Sequence, residues 1–154
     1  IPGGLNYTFD AVTCRLKYAW KGDFIDAGPA WNGRGGNPVK AGGEALTALK
    51  SGHHIRIGGG SAADTLRFRG YRLENQLPVF RYEVNGALVE HRVIPSGSTI
   101  VQKFVVKNPP ADVFYLGSSE VKATSKNGEP TDDGIRFPKS ETVEFEVTIS
   151  VGSE

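Results

Sequence analysis

The chain has 154 residues, of which 38% are hydrophobic and 23% are charged, a composition typical of a folded domain and not of a disordered segment. Its 18 basic and 17 acidic residues leave a formal charge of +1, so no excess of positive charge marks it as a nucleic-acid-binding protein. No apolar run reaches the roughly 20 residues of a membrane helix, and no signal peptide is visible, so we predict a soluble domain without membrane insertion.

The first predicted strands cover residues 5–9 and 14–18, where apolar and polar side chains alternate. This period puts Cys14, Leu16 and Tyr18 on one face of the second strand, and we expect that face to be buried. Cys14 is the only cysteine, so no internal disulfide can form. A small buried hydrophobe is predicted at this position in preference to a reactive thiol.

Residues 26–63 break this pattern. The segment holds half of the 20 glycines and shows no sustained alternation. Loops of this length are uncommon inside a compact domain, and they are usually functional or disordered. We therefore predict a Gly-rich loop insertion here, with a helical turn or two over residues 44–50.

Alternation returns at about Thr65 and continues to Val151. Asn85-Gly86 separates two alternating segments, and this dipeptide is a strong hairpin signal because both residues tolerate a positive φ. Asn127-Gly128 predicts a second hairpin of the same type. The predicted strands of this region are 65–73, 79–84, 87–94, 99–107 and 142–151.

The complete pattern predicts one all-β domain, an antiparallel β-sandwich built as a meander of hairpins. Its parts are the opening strands over 1–25, the Gly-rich insertion over 26–63 and the meander over 64–154. Arg67, Arg69 and Arg72 alternate outward on the first strand of the meander. We interpret them as a solvated face of the strand and not as a nucleic-acid-binding stripe.

The most unusual run of the sequence, residues 18–36, brings both tryptophans together with carboxylate, amide and guanidinium groups. Sugar-binding sites use this combination, since the apolar face of a sugar stacks on an aromatic ring while polar groups bond its hydroxyls. Alternatively, the tryptophans close one end of the core and the arginine pairs with an aspartate. The candidate ligand-binding residues are Trp20, Asp23, Asp26, Trp31, Asn32 and Arg34.

The two aspartates of this run also leave open a carbohydrate-active enzyme of the sandwich type. Glycoside hydrolysis uses two carboxylic acids about 5 to 10 Å apart as acid and base, and Asp23 and Asp26 would take those roles. Aspartates beside a Gly-rich turn are common turn formers, however, and no Gly-x-Ser-x-Gly nucleophile elbow is present. We assign no catalytic residue, and the sequence favours a non-catalytic role.

The three histidines are weak candidates for metal ligands. His53 and His54 are adjacent, so in a strand their side chains would point to opposite faces. His91 lies in an alternating strand and points outward, or inward if the register is reversed. A blue-copper site would also need a nearby cysteine and usually a methionine. Cys14 is far from His91 in sequence, and the chain has no methionine. We predict no metal and, without a Cys-x-x-Cys-His motif for covalent haem, no cofactor.

Two groups of segments resemble a known family. They are residues 4–10, 16–31 and 34–35 in the first group, and residues 68–73, 78–84 and 89–92 in the second. These segments are similar to the β-sandwich domain of large secreted bacterial proteins that also carry c-type cytochrome and sugar-dehydrogenase-like modules. The resemblance covers about the first two-thirds of the chain. It implies a periplasmic or extracellular location and neighbouring domains with redox chemistry on sugars or related compounds, and it supplies no catalytic residues.

The chain starts at Ile1 and contains no methionine, which predicts a processed mature protein or a domain of a larger one. We predict a non-catalytic module that binds a carbohydrate or docks a neighbouring redox domain through the region of Trp20 and Trp31. The carbohydrate-active enzyme remains one alternative. A structural spacer with a flat surface is the other.

Overall fold

A computed structural model describes residues 4–31, 39–43, 45–47, 52–59, 65–117 and 123–150. These residues are mostly antiparallel β-strands with one helical turn, α1 (Gly28–Trp31), which confirms the predicted all-β class. The strands are β1 (Leu5–Asp10), β2 (Arg15–Lys21), β3 (Asp23–Asp26), β4 (Lys40–Gly42), β5 (Ala45–Thr47), β6 (Ile55–Ile57), β7 (Leu66–Glu74), β8 (Leu77–Val84), β9 (Ala87–Ser96), β10 (Thr99–Lys107), β11 (Val113–Leu116), β12 (Ala123–Thr124), β13 (Glu129–Thr131), β14 (Gly134–Phe137) and β15 (Thr142–Ser150).

Two sheets face each other across the main core. The larger has the strand order β12-β15-β10-β9-β8-β7, and the smaller has the order β13-β14-β11-β6. Exposed and buried residues alternate along β15, because one face of this strand covers the core and the other meets solvent. Aromatic rings join the two layers, with 3.9 Å between the centroids of Phe137 and Phe145 and 5.8 Å between those of Tyr115 and Phe104. The predicted sandwich is confirmed.

A third sheet, of strand order β1-β2-β5, covers the other end of the same inner face of the large sheet. Leu5 and Leu16 of the third sheet share a second hydrophobic cluster with Val93 of β9. Phe9 of β1 stacks on Phe80 of β8, with 3.7 Å between the ring centroids. The large sheet is therefore covered by two smaller sheets, and its inner face runs continuously beneath both.

Strands β7 to β10 form a meander joined by tight turns. Asn85 and Gly86 have φ values of 49° and 83°, the left-handed geometry expected of Asn-Gly, so this hairpin is confirmed. Asn75 and Gln76 form a similar turn between β7 and β8, with φ values of 50° and 65°. After β10 the chain crosses to β11 in the smaller sheet, and β15 later returns beside β10. The predicted meander is therefore correct for β7–β10 and wrong beyond them.

Asn127-Gly128 does not form the predicted hairpin. The strand before it, β12, pairs with β15 in the large sheet, while the strand after it, β13, pairs with β14 in the smaller sheet. The dipeptide therefore crosses from one layer to the other. A Cβ atom at Gly128 would collide with the side chains of Ile135 and Phe137. Close approach to the core, and not a type I′ turn, explains the glycine.

The Gly-rich segment is structured where the structure describes it. It contributes β4 to a two-stranded sheet with β3, β5 to the third sheet and β6 to the edge of the smaller sheet. The helical turn predicted over residues 44–50 is wrong for Ala45–Thr47, which pair with β2 as a strand. The other residues of that stretch lie outside the described residues. Pairing with β2 overrides the helical preference of alanine and leucine.

Ion pairs cover the outer face of the large sheet. Arg72 lies 2.7 Å from Glu74 and 2.9 Å from Glu90, and Arg69 lies 2.7 Å from Glu83. Two of the arginines that alternate along β7 therefore meet carboxylates on the same face, which agrees with our interpretation of this face as a solvated one. Such exposed pairs contribute little to stability individually.

Candidate functional site

Exposed apolar side chains are concentrated in one segment of the chain. Eight large hydrophobic residues are exposed in the described part of the chain, and five of them lie in the segment that runs from β2 to the start of β4. These five residues, called the apolar edge below, are Tyr18, Phe24, Ile25, Trp31 and Val39. Single exposed hydrophobic residues are ordinary, whereas a group of them marks a binding surface. The apolar edge is therefore the candidate functional site.

A cleft of about 560 Å³ opens beside the apolar edge, between the β1–β2 hairpin and β4. Tyr18, Ile25 and Val39 belong both to the apolar edge and to the wall of the cleft. The polar residues that line the cleft are Thr8, Asp10, Lys17 and Lys40, and its remaining lining residues are Phe9, Trp20 and Ala41. A cavity with apolar walls and a few polar groups is the usual form of a small-molecule site.

A β-bulge presents Tyr18 to the cleft. In the pairing of β1 with β2, Thr8 lies opposite Tyr18 while Phe9 lies opposite Leu16, so Lys17 is an extra residue in β2. The bulge shifts the alternation by one residue. Leu16 is buried, but Tyr18 is 38% exposed, and the predicted burial of Tyr18 is wrong for this reason.

The two tryptophans have different environments. Trp20 is 1% exposed and is part of the core, and its indole N–H donates to the backbone oxygen of Asp23 at 2.9 Å. Trp31, in α1, is 85% exposed. The sequence left open whether the tryptophans are buried in the core or exposed at a surface, and each residue has one of these environments. Trp20 contributes a buried part of the cleft lining and holds the start of β3. Trp31 presents its ring to solvent.

Two glycines allow β4 to lie against β2 and β3. A Cβ atom at Gly42 would collide with the backbone oxygen of Asp23, and one at Gly43 would collide with that of Lys21. Gly22 also faces this contact, with a φ of 127° that side chains rarely adopt. The close backbone approach holds the β4 wall of the cleft in place.

We expect Gly43→Ala to destabilise the protein by about 1 to 3 kcal/mol, the usual cost of overpacking, and to open the β4 side of the cleft. Gly59→Ala is the matched control, because a Cβ atom there meets open space and its φ is not in the strained range. That control should stay within about 0.5 kcal/mol of the parent. Urea unfolding of both variants measures the difference, and equal stabilities would contradict the close-contact explanation.

Neither aspartate of the predicted acid pair lines the cleft. Asp23 and Asp26 are exposed at the two ends of β3. The Asp26 carboxylate accepts a hydrogen bond from the backbone N–H of Gly28 at 3.0 Å, which makes it a turn former at the start of α1. The arrangement gives the Asp23 and Asp26 carboxylates no shared pocket among the described cavities.

Asp10 is the acidic residue that does line the cleft. Slight desolvation acts to raise its pKa, but hydrogen bonds from Thr13 and Val12 and the charge of Lys17 outweigh it and hold the pKa below its usual value. Lys17 also lies over the ring of Tyr18, with 5.3 Å from its Nζ to the ring centroid. The cleft therefore combines an ionised carboxylate, an ammonium group and an aromatic ring.

The two remaining predicted site residues, Asn32 and Arg34, lie outside the described residues. Sequence analysis did not identify Asp10, Lys17 or Lys40 as site residues. The half-buried Lys17 and the exposed Lys40 carry no distinctive sequence signal, since charged residues on strands are ordinary.

All three histidines are buried, and each has its own set of contacts. His91 points inward on β9, between Val89 of the first hydrophobic cluster and Val93 of the second. His54 stacks on Tyr115, with 5.3 Å between ring centroids. Among the described residues, no group of three or more histidine, cysteine, aspartate or glutamate side chains is placed to hold a metal ion. The inward register of His91 follows from its place in the apolar alternation of β9.

A chain of buried hydrogen bonds, called the polar seam below, crosses the inner face between the two clusters. The Tyr82 hydroxyl lies 3.3 Å from His91 Nδ1, His91 Nε2 lies 2.9 Å from Gln102 Oε1, and Gln102 Nε2 donates to the Tyr115 hydroxyl at 2.9 Å. With the proton on His91 Nε2, every link has one donor and one acceptor.

Cys14, also buried as predicted, packs in the first cluster, and burial raises the pKa of its thiol to about 11.

Comparison with known proteins identifies a family but no characterised relative. No helix among the described residues is long and apolar enough to cross a membrane. No curated protein and no solved structure matches the chain. A family model described as a domain of unknown function, DUF6797, matches residues 7–91, which include the whole cleft lining and the apolar edge. Because the match spans more than half of the 154 residues, the chain belongs to the DUF6797 family.

Proposed function

We propose that the domain is a non-catalytic carbohydrate-binding module whose site is the cleft and the adjoining apolar edge. The observation that carries the proposal is the cleft wall formed by the exposed ring of Tyr18 with Ile25 and Val39, in a segment of the chain that also exposes Trp31 and Phe24. Exposed aromatic rings provide flat apolar faces for the C–H face of a sugar. Burial of most of these rings in the core would have removed this support.

The polar residues of the cleft suit hydroxyl groups. The Asp10 carboxylate accepts hydrogen bonds, while the ammonium groups of Lys17 and Lys40 donate them. A sugar hydroxyl does both, so a ring held against Tyr18 finds a partner for either function. The walls carry positive and negative charge, which favours neutral or weakly charged saccharides over polyanions.

The setting we propose follows from the resemblance described above. The domain would be periplasmic or extracellular and would serve a larger protein with redox modules acting on sugars. A carbohydrate-binding role fits such a neighbour, because the module would hold polymeric substrate near the catalytic domains. The enzyme alternative is weaker, since Asp23 and Asp26 do not line the cleft.

A second candidate is the docking of a neighbouring redox domain, such as a c-type cytochrome domain, on the same surface. All four residues of β3 are exposed, including the apolar Phe24 and Ile25. Apolar side chains presented by an exposed strand are also typical of protein interfaces. The two candidates use the same residues but differ in whether free saccharides bind.

Calorimetric titration with neutral oligosaccharides of several linkages tests the proposal. We expect at least one saccharide to bind, and both Trp31→Ala and Tyr18→Ala to weaken it about ten-fold or more, the loss of roughly 1.4 kcal/mol or more of stacking. Tyr71→Ala is the matched control, because Tyr71 is also an exposed tyrosine but lies on β7 and does not line the cleft.

A panel without any binding saccharide would contradict the carbohydrate proposal, and so would binding that both Trp31→Ala and Tyr18→Ala leave intact. Binding of a separately produced redox domain that Trp31→Ala abolishes, without saccharide binding, would establish the docking candidate instead. Unchanged melting temperatures in Trp31→Ala would show that the fold is intact, as expected for a side chain that is 85% exposed.

A further inference from the structure

The lining of the cleft holds more positive than negative charge. Its charged residues are Lys17 and Lys40, which carry ammonium groups, and Asp10, which carries a carboxylate. Two positive charges against one negative charge leave the lining with a net charge of +1. Neither lysine forms an ion pair with a carboxylate in the described part of the chain. A ligand with one negative charge would therefore neutralise the cleft, whereas a neutral ligand would not.

The two ammonium groups come from opposite walls of the cleft. Lys17 is the bulge residue of β2, and Lys40 is the first residue of β4. The Nζ atom of Lys17 lies over the ring of Tyr18, 5.3 Å from its centroid, so one positive charge is held beside the aromatic wall. Both lysines line the same cavity of about 560 Å³, a volume in the range of small-molecule sites. The cleft thus has room for a ligand and a cation in each of its two walls.

The neighbouring carboxylates do not neutralise these lysines. Asp26 is the register partner of Lys40 in the pairing of β3 with β4, but its carboxylate accepts the backbone N–H of Gly28. The Oδ1 atom of Asp10 accepts two backbone N–H groups of the β1–β2 turn, at 2.9 and 3.3 Å. Both carboxylates therefore act on the backbone, and the two ammonium groups stay available to a ligand.

We propose that the cleft recognises acidic saccharides, namely those with one uronic acid unit in the stretch that the cleft holds. The inference rests on the proposed carbohydrate-binding function and adds the chemical class of the sugar. A uronic acid has a carboxylate in place of the C6 hydroxymethyl group, so its ring still presents a C–H face to Tyr18 while the carboxylate accepts hydrogen bonds from an ammonium group. A second carboxylate in the same stretch would meet the negative charge of Asp10, which disfavours fully acidic polymers.

Calorimetric titration of the full chain at neutral pH tests the inference. The probes are disaccharides in which glucuronic or galacturonic acid is linked to a neutral hexose, and their methyl esters, which have nearly the same shape but no charge. We expect at least one acid to bind about five-fold tighter than its ester, the effect of a partly exposed ion pair. Raising the salt concentration from about 0.01 M to about 1 M should remove most of this preference and leave ester binding unchanged.

The outcomes distinguish a failure of this inference from a failure of the proposed function. Binding of acids and esters with equal affinity would overturn the inference and leave the carbohydrate-binding function intact, and so would tighter binding of the esters. A preference for the acids that is the same at low and high salt would contradict recognition by charge. If no acid, no ester and no neutral saccharide binds, both the inference and the proposed function are wrong.

Variants of the charged lining provide the second arm of the test. Lys17→Gln and Lys40→Gln should each reduce the preference for acid over ester about two-fold, and the double variant should abolish it. Asp10→Asn should increase the preference, because it removes the negative charge of the lining and keeps the Oδ1 acceptor of the turn. Lys107→Gln is the matched control: it removes an exposed lysine that does not line the cleft, and it should leave the preference unchanged. An unchanged preference in the double variant, or a weaker one in Asp10→Asn, would overturn the inference.

Discussion

Lowering the pH from 7 to 5 is expected to reduce the free energy of unfolding by about 2 kcal/mol for each of His53 and His54, and His91 adds a loss of the same sign. Burial lowers the pKa of His53 to about 3 and that of His54 to about 4, and it holds the pKa of His91 well below its usual value. The rings of His53 and His54 are therefore neutral in the folded protein at pH 5, and burial opposes protonation of His91 in the same way. Since total stabilities are about 5 to 15 kcal/mol, this loss brings the fold near its limit.

The sign of the effect follows from proton binding. Below about pH 6.5 the histidines of the unfolded chain take up protons, while those of the folded chain do not. The unfolded state then binds more protons, so stability rises with pH through this window and falls as acid is added. The contribution of each histidine is complete above pH 6.5 and is lost progressively as the pH falls toward its folded pKa.

Carboxylates act in a separate, lower window. Glu74 has a lowered pKa because of its hydrogen bonds to Arg92 and Arg72, and Glu90 has one because of its hydrogen bonds to Arg72. Stability from such groups is present above their unfolded pKa of about 4.5 and is lost only as the pH falls below it. A decline between pH 6.5 and pH 5 therefore reports the histidines.

Urea unfolding at pH 7, 6 and 5, followed by tryptophan fluorescence, measures this decline. His53→Gln removes one titrating group, so it should reduce the pH-dependent loss by about 2 kcal/mol at pH 5. A free energy of unfolding that is constant from pH 7 to pH 5 would contradict the burial of neutral histidines.

Replacement of Gln102 by leucine is expected to destabilise the protein by roughly 2 to 5 kcal/mol. Gln102 is the middle of the polar seam: its Oε1 is 2.9 Å from His91 Nε2, and its Nε2 is 2.9 Å from the Tyr115 hydroxyl. The three side chains are almost fully buried, so water cannot replace the lost partner of either neighbour. Each unpaired buried group costs about 1 to 3 kcal/mol.

Lys103→Leu is the matched control for this variant. Lys103 is the next residue of β10 and points to the outer face, where it pairs with Glu146 in solvent. Its replacement should change stability by no more than about 1 kcal/mol. Equal losses from the two substitutions would show that the polar seam does not contribute as proposed. The double variant His91→Leu with Gln102→Leu should cost less than the sum of its single changes, because they remove two ends of one bond.

The sequence was sufficient to predict the strands that have one buried face and one solvent-exposed face. The alternation in β7 to β10 and in β15 predicted their positions to within a few residues, because each of them has one face against the core. Asn85-Gly86 predicted its turn because the geometry depends on the dipeptide itself. A turn of this kind can be predicted without knowledge of the rest of the fold.

Features that depend on distant partners were not predictable. Asn127-Gly128 has the same local chemistry as Asn85-Gly86, but Gly128 is required by the core residues Ile135 and Phe137. The bulge at Lys17 depends on the register with β1, and it reverses the exposure of Tyr18. Both features depend on contacts between residues that are far apart in sequence, which a local sequence pattern does not reveal.

The candidate site shows the same division. The run around Trp20 and Trp31 drew attention through its composition, but composition did not separate the core tryptophan from the exposed one. The opposite wall, with Asp10 and Lys17, comes from strands that the sequence suggested only as ordinary alternation. Their contribution to a cleft depends on β4, which reaches them through the glycine contacts described above.

Acrylamide quenching of tryptophan fluorescence tests the central claim, that the apolar edge and its cleft bind a carbohydrate. In the free protein, Trp31 should be quenched efficiently and Trp20 hardly at all, which Trp31→Phe will show as a loss of the quenchable emission. The account predicts that a saturating saccharide protects the quenchable emission of the parent protein. Undiminished quenching of Trp31 in the presence of every saccharide that binds the protein, or the absence of any such saccharide, would contradict it.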